Sequence, residues 1–469
     1  QPSQTMPDGL NRNIEENETL NLGGTTNFIR PVGQGPSMKP PPPIFALSTP
    51  IGKSAIALFR ISGRKSQQII KKISSNKKLR PNKPGLNKII DNQKKTIDQT
   101  ITTFFNSPNS YTGENMVEIS CHGSIAIINK ITETLLKKGI SLAEPGEFTK
   151  RALDNDKFDI TQVEALSDLI NSETEKQRIL ALKNLEGHLS NFSKNLTTKM
   201  MKMLADTEAL IDFSDEELPK NLLKKIKEQN GNIIKNIKLN LNRSRLSKSI
   251  NSGFLVSVIG KPNTGKSSFI NYISGRDVAI VTNIPGTTTD SLEIPIDVDG
   301  YKIRFVDTAG IRKHKNIIEK IGIEKAKKTS LLSDLNIIFL EKSEKNKYTN
   351  VPNKLFVKSK FDISRSKKTQ KNITNISSKT GFGVDRLLKI TKKRLVNKDL
   401  DKIPLFSRER QVNKMINCLN LLNSIDFKKT PDIIAEDIRS AIKENEEIYQ
   451  KFDIEKILDI IFADFCIGK

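Results

Sequence analysis

The sequence predicts an α/β fold combined with an all-α domain, because three kinds of hydrophobic pattern follow one another along the chain. Residues 38–157 mix strand and helix patterns, residues 158–252 and 397–469 carry amphipathic helical patterns, and residues 253–396 hold short apolar runs between glycine-rich turns. Helical texture on both sides of the third segment indicates an α/β domain inserted into a helical domain. Residues 1–37 are polar without an apolar period, which predicts a disordered leader.

In the first α/β segment, the apolar runs Ile56–Ile61 and Val117–Ser120 predict strands. Ser124–Lys138 predicts a helix, since its apolar residues recur on one side and Gly139 follows its end. Farther along, Thr161–Glu164 has the pattern of a capping box, which would open the helical segment. We therefore expect an N-terminal α/β domain that passes directly into helices.

The inserted segment begins with Phe254–Ile259, a continuous apolar run of the kind that a buried parallel strand requires. Asp299-Gly300 lies between two further strand patterns and predicts a type I′ hairpin. The other elements expected here are the strands Leu292–Val298, Tyr301–Val306, Leu335–Leu340 and Lys354–Val357 and the closing helix Gly383–Leu395. At the end of the chain, Asp453–Phe465 predicts a helix with one apolar stripe.

Length and composition exclude several classes of protein. A chain of 469 residues is long enough for roughly two to four domains, and no window holds the ~18 uncharged apolar residues of a membrane span. Three cysteines cannot form a disulfide framework, which favours a reducing compartment such as the cytoplasm. The 77 basic and 53 acidic residues give a net charge of +24, which favours nucleic acid as a partner unless lysine is abundant across the whole proteome.

The segment from Gly260 to Ser267, G-K-P-N-T-G-K-S, matches the phosphate-binding P-loop pattern between a predicted strand and a predicted helix. Its backbone N–H groups would surround a phosphate at the helix N-terminus. Lys266 would place a positive charge on the phosphate oxygens, and the Ser267 hydroxyl would bind Mg²⁺. A chance glycine-rich turn would not explain the strand–turn–helix context.

Two later motifs follow in the order found in GTPases. Gly286–Asp290, G-T-T-T-D, contains Thr288, which could close over Mg²⁺, and Asp307–Gly310, D-T-A-G, ends a predicted strand. The aspartate would hold Mg²⁺ through water and Gly310 would contact the γ-phosphate. D-T-A-G alone would be a weak signal, whereas the order of the three motifs indicates a GTPase.

Guanine recognition is expected from an N-K-x-D element after the strand Lys354–Val357. Residues 358–362 are K-S-K-F-D, so Asp362 is in place to accept guanine N–H groups, but Ser359 replaces the usual Asn. Ser377–Lys379 then supplies the loop beside the base. Between Leu340 and Lys354 the chain is too short for a full helix and two loops, so we expect this domain to have lost one helix.

Motifs outside the inserted segment are more specific still. They are F-R-I-S-G at 59–63, Y-T-G-E at 111–114, C-H-G at 121–123, P-G-E-F-T-K-R-A at 145–152 and F-C-I-G-K at 465–469. From about Pro43 to Lys469 the chain resembles the MnmE family, also called TrmE, of tRNA-modification GTPases. The resemblance implies a K⁺-stimulated GTPase that modifies carbon 5 of the wobble uridine of tRNA with a one-carbon unit from a tetrahydrofolate. It also implies a homodimer, and a heterotetramer with an FAD-dependent MnmG-type partner.

The resemblance further assigns a folate pocket to the N-terminal domain, which would also dimerise. The pocket would bind 5-formyltetrahydrofolate or another reduced folate through Arg60, Glu118, Lys157 and Lys469. From the residues alone, Arg60 and Glu118 would more readily be explained as a structural ion pair. Cys466 is either a thiol involved in the one-carbon chemistry or a small apolar residue at the end of a helix.

In the inserted domain, the resemblance implies that K⁺ replaces an arginine finger and that Glu319 orients the attacking water, with Lys266 as the second catalytic residue. Mg²⁺ would be bound by Ser267 and Thr288, and K⁺ by Asn263, Thr282, Ile284 and Thr287. The positions assigned to GTP binding are Asn263, Thr264, Gly265, Lys266, Ser267, Ser268, Thr282, Asn283, Ile284, Pro285, Gly286, Thr287, Thr288, Asp307, Thr308, Ala309, Gly310, Ser359, Lys360, Asp362, Ser377, Ser378 and Lys379.

Two other functions stay open at this stage. An RNA-binding assembly GTPase without folate chemistry would carry a KH-like domain with a GxxG loop after the GTPase domain, where helices are predicted instead. A nucleotide switch with impaired hydrolysis is suggested by Ser359 and by the shortened domain. Thr289, in place of the family's Arg, is a further departure from the family pattern. GTP turnover with and without K⁺ would separate an active enzyme from such a switch.

Overall fold

The computed structural model confirms the predicted fold class, with two six-stranded sheets and a set of packed helices. It describes residues 41–76, 78–212, 221–276, 279–280, 293–307, 328–341, 345–363, 372–396 and 404–450, with the backbone alone at 245–248. The expected leader 1–37 and the expected final helix Asp453–Phe465 lie outside the described residues. No helix within them is long and apolar enough to cross a bilayer.

The N-terminal sheet has the strand order β3-β4-β5-β2-β1-β6. Its strands are β1 (Ile44–Leu47), β2 (Ser54–Ser62), β3 (Gly85–Ile90), β4 (Thr96–Phe105), β5 (Met116–Gly123) and β6 (Ser141–Leu142). Three helices accompany it, namely α1 (Ser66–Ile73), α2 (Ile125–Leu136) and α3 (Glu147–Asp154). The two predicted strands and the predicted helix are therefore confirmed as β2, β5 and α2. The core between this sheet and α1 and α2 includes Phe59, Ile70 and Ile131.

The helical part comprises α4 (Ile160–Ile170), α5 (Glu175–Leu185), α6 (His188–Asp212) and α7 (Leu222–Ser252) before the inserted domain. The capping box predicted at Thr161–Glu164 is wrong, because Asp159 is the N-cap. The Asp159 carboxylate accepts the backbone N–H of Gln162, whose side chain in turn accepts the backbone N–H of Asp159. Asp is as good an N-cap as Thr, so the helix begins earlier than the S/T-x-x-E pattern indicated.

The inserted domain is a mainly parallel sheet of strand order β12-β11-β10-β7-β9-β8, in which only β8 runs antiparallel to its neighbour. Its strands are β7 (Phe254–Gly260), β8 (Glu293–Val298), β9 (Tyr301–Asp307), β10 (Leu335–Phe339), β11 (Lys354–Lys358) and β12 (Ile373–Asn375). The helices α8 (Lys266–Ser274) and α9 (Val384–Leu395) pack on one face. Asp299 and Gly300 have φ of +50° and +85°, as the predicted type I′ turn requires.

The connection from β10 to β11 is short, as the sequence predicted. In its described residues, 340–341 and 345–353, the only helical element is the 3-10 turn Lys345–Tyr348. Asn336 of β10 is fully buried and donates its amide hydrogens to the carbonyls of Ser330 and Pro352. The bond to Pro352 attaches the end of this loop to the sheet, and the bond to Ser330 attaches the segment that precedes β10.

The helices on either side of the insertion form one body. Those after it are α10 (Glu409–Ser424) and α11 (Pro431–Glu446), and they share a core with α6 and α7. The buried carboxylate of Glu164 accepts hydrogen bonds from Arg410 at 2.9 and 3.0 Å and from Gln411 at 2.6 Å. Where the chain leaves and re-enters this body, the Asn251 amide donates to the Ser407 carbonyl at 2.9 Å.

The inserted domain rests on α5 through its β8–β9 hairpin. The ammonium groups of Lys176 and Lys392 lie 5.5 and 5.6 Å from the centre of the Tyr301 ring. Lys302 forms an ion pair with Glu173, the residue just before the N-cap of α5. This contact is at the hairpin turn, whereas the P-loop follows the carboxyl end of the neighbouring strand β7.

Candidate functional site

The phosphate-binding loop connects β7 to α8 through left-handed backbone conformations. Gly260, Asn263 and Gly265 have φ of +154°, +62° and +94°. A Cβ atom at Gly260 would lie 2.6 Å from the carbonyl oxygen of Phe339, and one at Gly265 would lie 2.5 Å from the hydroxyl of Ser359. The two glycines are therefore required by the close approach of neighbouring segments as well as by their φ angles.

Lys266 begins α8, and only 4% of it is exposed. Its ammonium donates to the Lys261 carbonyl across the loop at 2.6 Å. The Ser267 hydroxyl donates to the carboxylate of Asp307, the last residue of β9, at 3.2 Å. A cation, a hydroxyl and a carboxylate thus lie at the carboxyl ends of two adjacent parallel strands, where open α/β sheets bind their ligands.

The oxygen atoms of Ser267 and Asp307 are of the hard type that Mg²⁺ prefers. The described residues hold no group of three or more His, Cys, Asp or Glu side chains that could bind a metal ion by themselves. A cation here would therefore share its coordination with groups from outside this set, as Mg²⁺ does when it keeps waters and binds substrate phosphates. The pair fits that role because both side chains approach the loop that would hold the phosphates.

The loop after β11 contacts the P-loop through Ser359. Its hydroxyl donates to the backbone carbonyl of Thr264, so the two loops are bonded directly even with serine in place of asparagine. Lys360 follows in the left-handed region, at φ +58°, and Asp362 is exposed. The Ser377 hydroxyl donates to an Asp362 carboxylate oxygen at 2.7 Å, which restrains the group expected to face the base.

An aromatic pair joins the loop after β11 to the loop after β12. The rings of Phe361 and Phe382 stack with their centroids 5.2 Å apart and an interplanar angle of 11°. Phe361 immediately precedes Asp362, and the Phe382 carbonyl accepts the backbone N–H of Ser377 at 2.9 Å. The stack therefore adjoins both residues of the hydrogen bond between Ser377 and Asp362. Sequence reasoning missed it, because neither phenylalanine follows a strand or helix period.

In the N-terminal domain, Arg60 and Glu118 are direct neighbours on β2 and β5. The Arg60 Nε donates to Glu118 Oε1 at 2.9 Å, and the guanidinium lies 5.4 Å from the centre of the Tyr111 ring. The edge of Phe158 meets the same ring at a centroid distance of 5.7 Å. Burial raises the pKa of Tyr111, although its hydrogen bond with Thr149 and the charge of Arg60 oppose the rise, so its hydroxyl stays neutral near pH 7.

Lys157 lies close to this aromatic pair, since it directly precedes Phe158. Its ammonium donates to the Pro108 carbonyl at 3.1 Å, and its side chain is exposed. Arg60 and Glu118 therefore adjoin the Tyr111 ring, and Lys157 adjoins Phe158, whose ring is inclined by 63° to that of Tyr111. Donors, an acceptor carboxylate and two cations beside an aromatic ring suit a planar heterocycle that carries an anionic tail.

A second polar network joins the two motifs at 111–114 and 145–152. Glu114 accepts the Ser62 hydroxyl at 2.7 Å and an Arg151 N–H at 3.2 Å. Arg151 also donates to Glu147 at 2.8 Å and to the Pro42 carbonyl at 2.9 Å. These residues hold α3 against the sheet beside Arg60. Their motifs pointed to the family, and only the fold reveals that they contact one another.

Several assigned residues cannot be placed. The segment Thr282–Thr288, the residues Thr308–Gly310, Glu319, Cys466 and Lys469 lie outside the described residues. The other two cysteines are buried and unbonded to each other. Burial, reinforced by a nearby carboxylate in each case, raises the pKa of Cys121 to about 11 and that of Cys418 to about 12.

Two family models match the chain in succession. Residues 43–157 match the N-terminus of the GTP-binding protein TrmE. Residues 160–466 match the MnmE helical domain, a span that covers well over half of the chain and includes the inserted domain. The chain belongs to the MnmE family.

Relatives named tRNA modification GTPase MnmE match almost the whole chain. The protein of Dinoroseobacter shibae is 35% identical over 435 residues, covering 91% of this chain and 99% of that one. That of a Wolbachia strain from Drosophila simulans is 36% identical and covers 91% and 98%. The Pelagibacter ubique protein is 38% identical and covers 91% and 100%. The N-terminal domain, the helices and the insertion are therefore shared by the MnmE relatives as one unit.

Among solved structures, the G domain of the FeoB iron transporter of T. maritima matches 30% of this chain and 98% of its own length. The sequence identity is 22% and the TM-score is 0.23. A TM-score this low supports no argument about the fold or function of this MnmE family member.

Proposed function

We propose that this MnmE family member is a K⁺-stimulated GTP hydrolase that acts in tRNA modification. The observation that carries the proposal is the grouping of Lys266, Ser267 and Asp307 at the P-loop of a chain that matches both MnmE family models. The buried Lys266 ammonium would neutralise phosphate charge, and the Ser267 and Asp307 oxygens would hold Mg²⁺. When bound, Mg²⁺ would supply further positive charge to the phosphates.

Asn263 would supply a side-chain oxygen to K⁺. It stands at the exposed tip of the P-loop, and its side chain forms no hydrogen bond with the described residues. Thr282, Ile284 and Thr287 are the further ligands that the family resemblance proposes, with Thr288 for Mg²⁺. We propose Glu319 as the residue that orients the attacking water, since the family places its catalytic glutamate shortly after D-T-A-G.

The second part of the proposal is a reduced-folate site around Tyr111. The Arg60–Glu118 pair offers donors and an acceptor to the edge of a pterin, while Lys157 offers a cation to an anionic tail. The Tyr111 ring, with Phe158 packed against it, provides an aromatic surface beside these groups. These contacts support 5-formyltetrahydrofolate or a related folate as the ligand, with Lys469 and Cys466 as further contributors.

The third part is a homodimer through the N-terminal sheet. Across its open face, Leu86 opposes Ile101 on the next strand, and these residues are 74% and 51% exposed. Ile56, on β2, is 61% exposed. An exposed aliphatic pair on a sheet, with a third such residue on a nearby strand, supports a protein contact at this face. We assign residues 38–157 to folate binding and dimerisation, 158–252 and 397–469 to the helical domain, and 253–396 to GTP hydrolysis.

An FAD-dependent MnmG-type protein is the proposed partner in a heterotetramer, and a cytoplasmic tRNA is the proposed substrate. The tRNA wobble uridine would receive the one-carbon unit at carbon 5. The high net charge of +24 supports a nucleic-acid partner. The alternative of an assembly GTPase is favoured by no observation in the described residues.

GTP turnover in K⁺ and in Na⁺ at equal ionic strength tests the hydrolase proposal. We expect faster turnover in K⁺, loss of the difference in Asn263→Ala, and slower turnover at unchanged GTP affinity in Glu319→Ala. Lys266→Ala should reduce the rate by about 10²–10³, because it removes a preorganised charge from the transferred group. Lys261→Ala is the matched control, since it removes an exposed side chain near Glu341 and retains the carbonyl that Lys266 contacts. Equal rates in both salts would contradict the K⁺ assignment.

A further inference from the structure

One face of α7 carries lysines at a helical period. Its four exposed lysines are Lys224, Lys227, Lys235 and Lys238. Together with position 231 they recur every three or four residues, so all five positions lie on one side of the helix. Gly231 occupies the middle position. These four lysines together with Gly231 are called the lysine stripe below. It spans about 21 Å, since a helix rises ~1.5 Å per residue.

Within the described residues, none of the four ammonium groups of the lysine stripe forms an ion pair or a hydrogen bond. Lys225, one position away from the stripe, pairs with Asp206 at 2.9 Å, so the same helix does form ion pairs on its other side. Over its whole length α7 has eight Lys and Arg residues and only one acid, Glu228.

Three features of the stripe oppose the stability of the helix. Like charges three positions apart, as at Lys224 and Lys227 or at Lys235 and Lys238, repel each other. Lys224 lies in the first turn, which contains no acidic residue, although the helix dipole disfavours cations there. Glycine within a helix is destabilising relative to alanine. Glu228, four positions after Lys224, offsets only part of the repulsion between the lysines. Sequences that break local rules in this way are expected at functional or strained sites.

Gly231 is the most informative of these features. It is exposed, and a Cβ atom built on it would meet no atom within 4 Å. Packing in the folded chain therefore gives no reason for glycine at this position. Glycine is also used where a ligand approaches the backbone closely, and here it lies between two pairs of lysines. A polyanion lying along the stripe would come nearest to the helix at this point.

The chemistry of the stripe favours a nucleic-acid backbone over a membrane. The apolar side of α7 is already buried, since Ile226, Ile233 and Ile237 belong to the helical core. A membrane-bound amphipathic helix would need that side free. A phosphate backbone needs only charges along a line, and it gains affinity by releasing counterions.

We propose that the lysine stripe of α7 is a surface on which the helical domain contacts the phosphate backbone of tRNA. The proposal rests on the proposed function in taking tRNA as the nucleic acid. It adds the place of contact, the residues involved and the reason for Gly231. Contacts with phosphates position the tRNA and carry no sequence information.

Binding of an unmodified tRNA transcript to the full-length chain at several NaCl concentrations tests the proposal. The variant K224Q/K227Q/K235Q/K238Q should bind at least ~10-fold more weakly at moderate salt, and its log K against log [salt] slope should be smaller by about two to four. The matched control K78Q/K94Q/K95Q/K138Q removes four exposed lysines without ion pairs from the N-terminal domain. For every two lysines removed, the control should lose less than about half of its tRNA affinity. Its slope of log K against log [salt] should stay within about one of that of the unsubstituted chain.

Equal losses of tRNA affinity in the two quadruple variants would contradict the lysine stripe as the contact surface and would indicate a general effect of charge. Unchanged binding in the stripe variant would overturn the stripe alone, whereas a lack of tRNA binding by the unsubstituted chain would overturn both the stripe and tRNA as substrate. Polyglutamate that binds as tightly as tRNA, with the same dependence on the stripe, would assign the surface to an acidic protein instead.

Gly231→Gln separates binding from folding. Because glutamine favours a helix over glycine, the midpoint of thermal unfolding should rise. The new side chain would stand between the two lysine pairs, so tRNA affinity should fall several-fold in the same protein. A higher midpoint with unchanged tRNA affinity would contradict the close approach at Gly231.

Discussion

The hydroxyl of Ser359 donates a hydrogen bond to the backbone carbonyl of Thr264, which joins the loop after β11 to the P-loop. The serine lies directly beneath Gly265, where a Cβ atom would come within 2.5 Å of its hydroxyl oxygen. The position where the family has asparagine thus keeps a bond between the two loops with a shorter side chain. What serine lacks is the second polar group of the asparagine amide.

Ser359→Ala should weaken GTP binding by about 1 kcal/mol, the net contribution of one neutral hydrogen bond. Ser359→Asn should strengthen it by about the same amount, because the amide adds a further donor. The preference for guanine over adenine should persist in both variants and disappear in Asp362→Ala. Competition between GTP and ATP in equilibrium binding measures all three. ATP that already competes equally in the unsubstituted chain would leave only a generic P-loop nucleotide site.

The stack of Phe361 on Phe382 should support guanine selectivity, because it joins the segments that carry Asp362 and Ser377. We expect Phe382→Ala to weaken the binding of GTP more than that of ITP, because ITP lacks the 2-amino group that would donate a hydrogen bond to the Asp362 carboxylate. Aromatic pairs contribute about 0.5–1.5 kcal/mol beyond burial, so the GTP affinity should fall several-fold. The nucleotide titration should compare both ligands in one buffer.

Ile363→Ala is the control for this variant, since Ile363 adjoins Asp362 and is 73% exposed. It should leave both affinities nearly unchanged. If Phe382→Ala weakens the binding of GTP and of ITP in equal proportion, the stack has a general structural role and does not contribute to base selection.

Local chemistry explains what the sequence could predict. The P-loop was found because its glycines, lysine and serine are adjacent in the chain, and β7 and α8 lie where their apolar patterns put them. The helix start at Asp159 was misplaced because two cap patterns overlap and only the side-chain contacts decide between them. Contacts such as Glu114 with Arg151 join distant segments, and no local period indicates them. The domain boundaries stay predictions.

Neither Cys121 nor Cys418 should react quickly with a thiol reagent in the native chain. With a pKa of about 11 for Cys121 and about 12 for Cys418, no more than about one in a thousand of either thiol is ionised at pH 8, and both are buried. Ellman's reagent should therefore give at most one fast equivalent per chain, which Cys466→Ser should remove. Two or more fast equivalents in the native protein would contradict the burial of Cys121 and Cys418.

The Arg60–Glu118 pair separates a folate site from a purely structural ion pair. Arg60→Ala should weaken binding of 5-formyltetrahydrofolate by about 1.5–3 kcal/mol, because it removes a charged hydrogen-bond donor from the pocket. It should also lower the thermal midpoint, since Glu118 loses its partner at 2.9 Å. In Arg60→Ala/Glu118→Ala the unpaired carboxylate is gone, so stability should recover in part while folate affinity stays low. Arg178→Ala, which breaks an exposed pair with Glu175, should change neither. If calorimetry shows that stability and folate affinity recover together in the double variant, or that folate affinity never changes, Arg60 and Glu118 serve the fold alone.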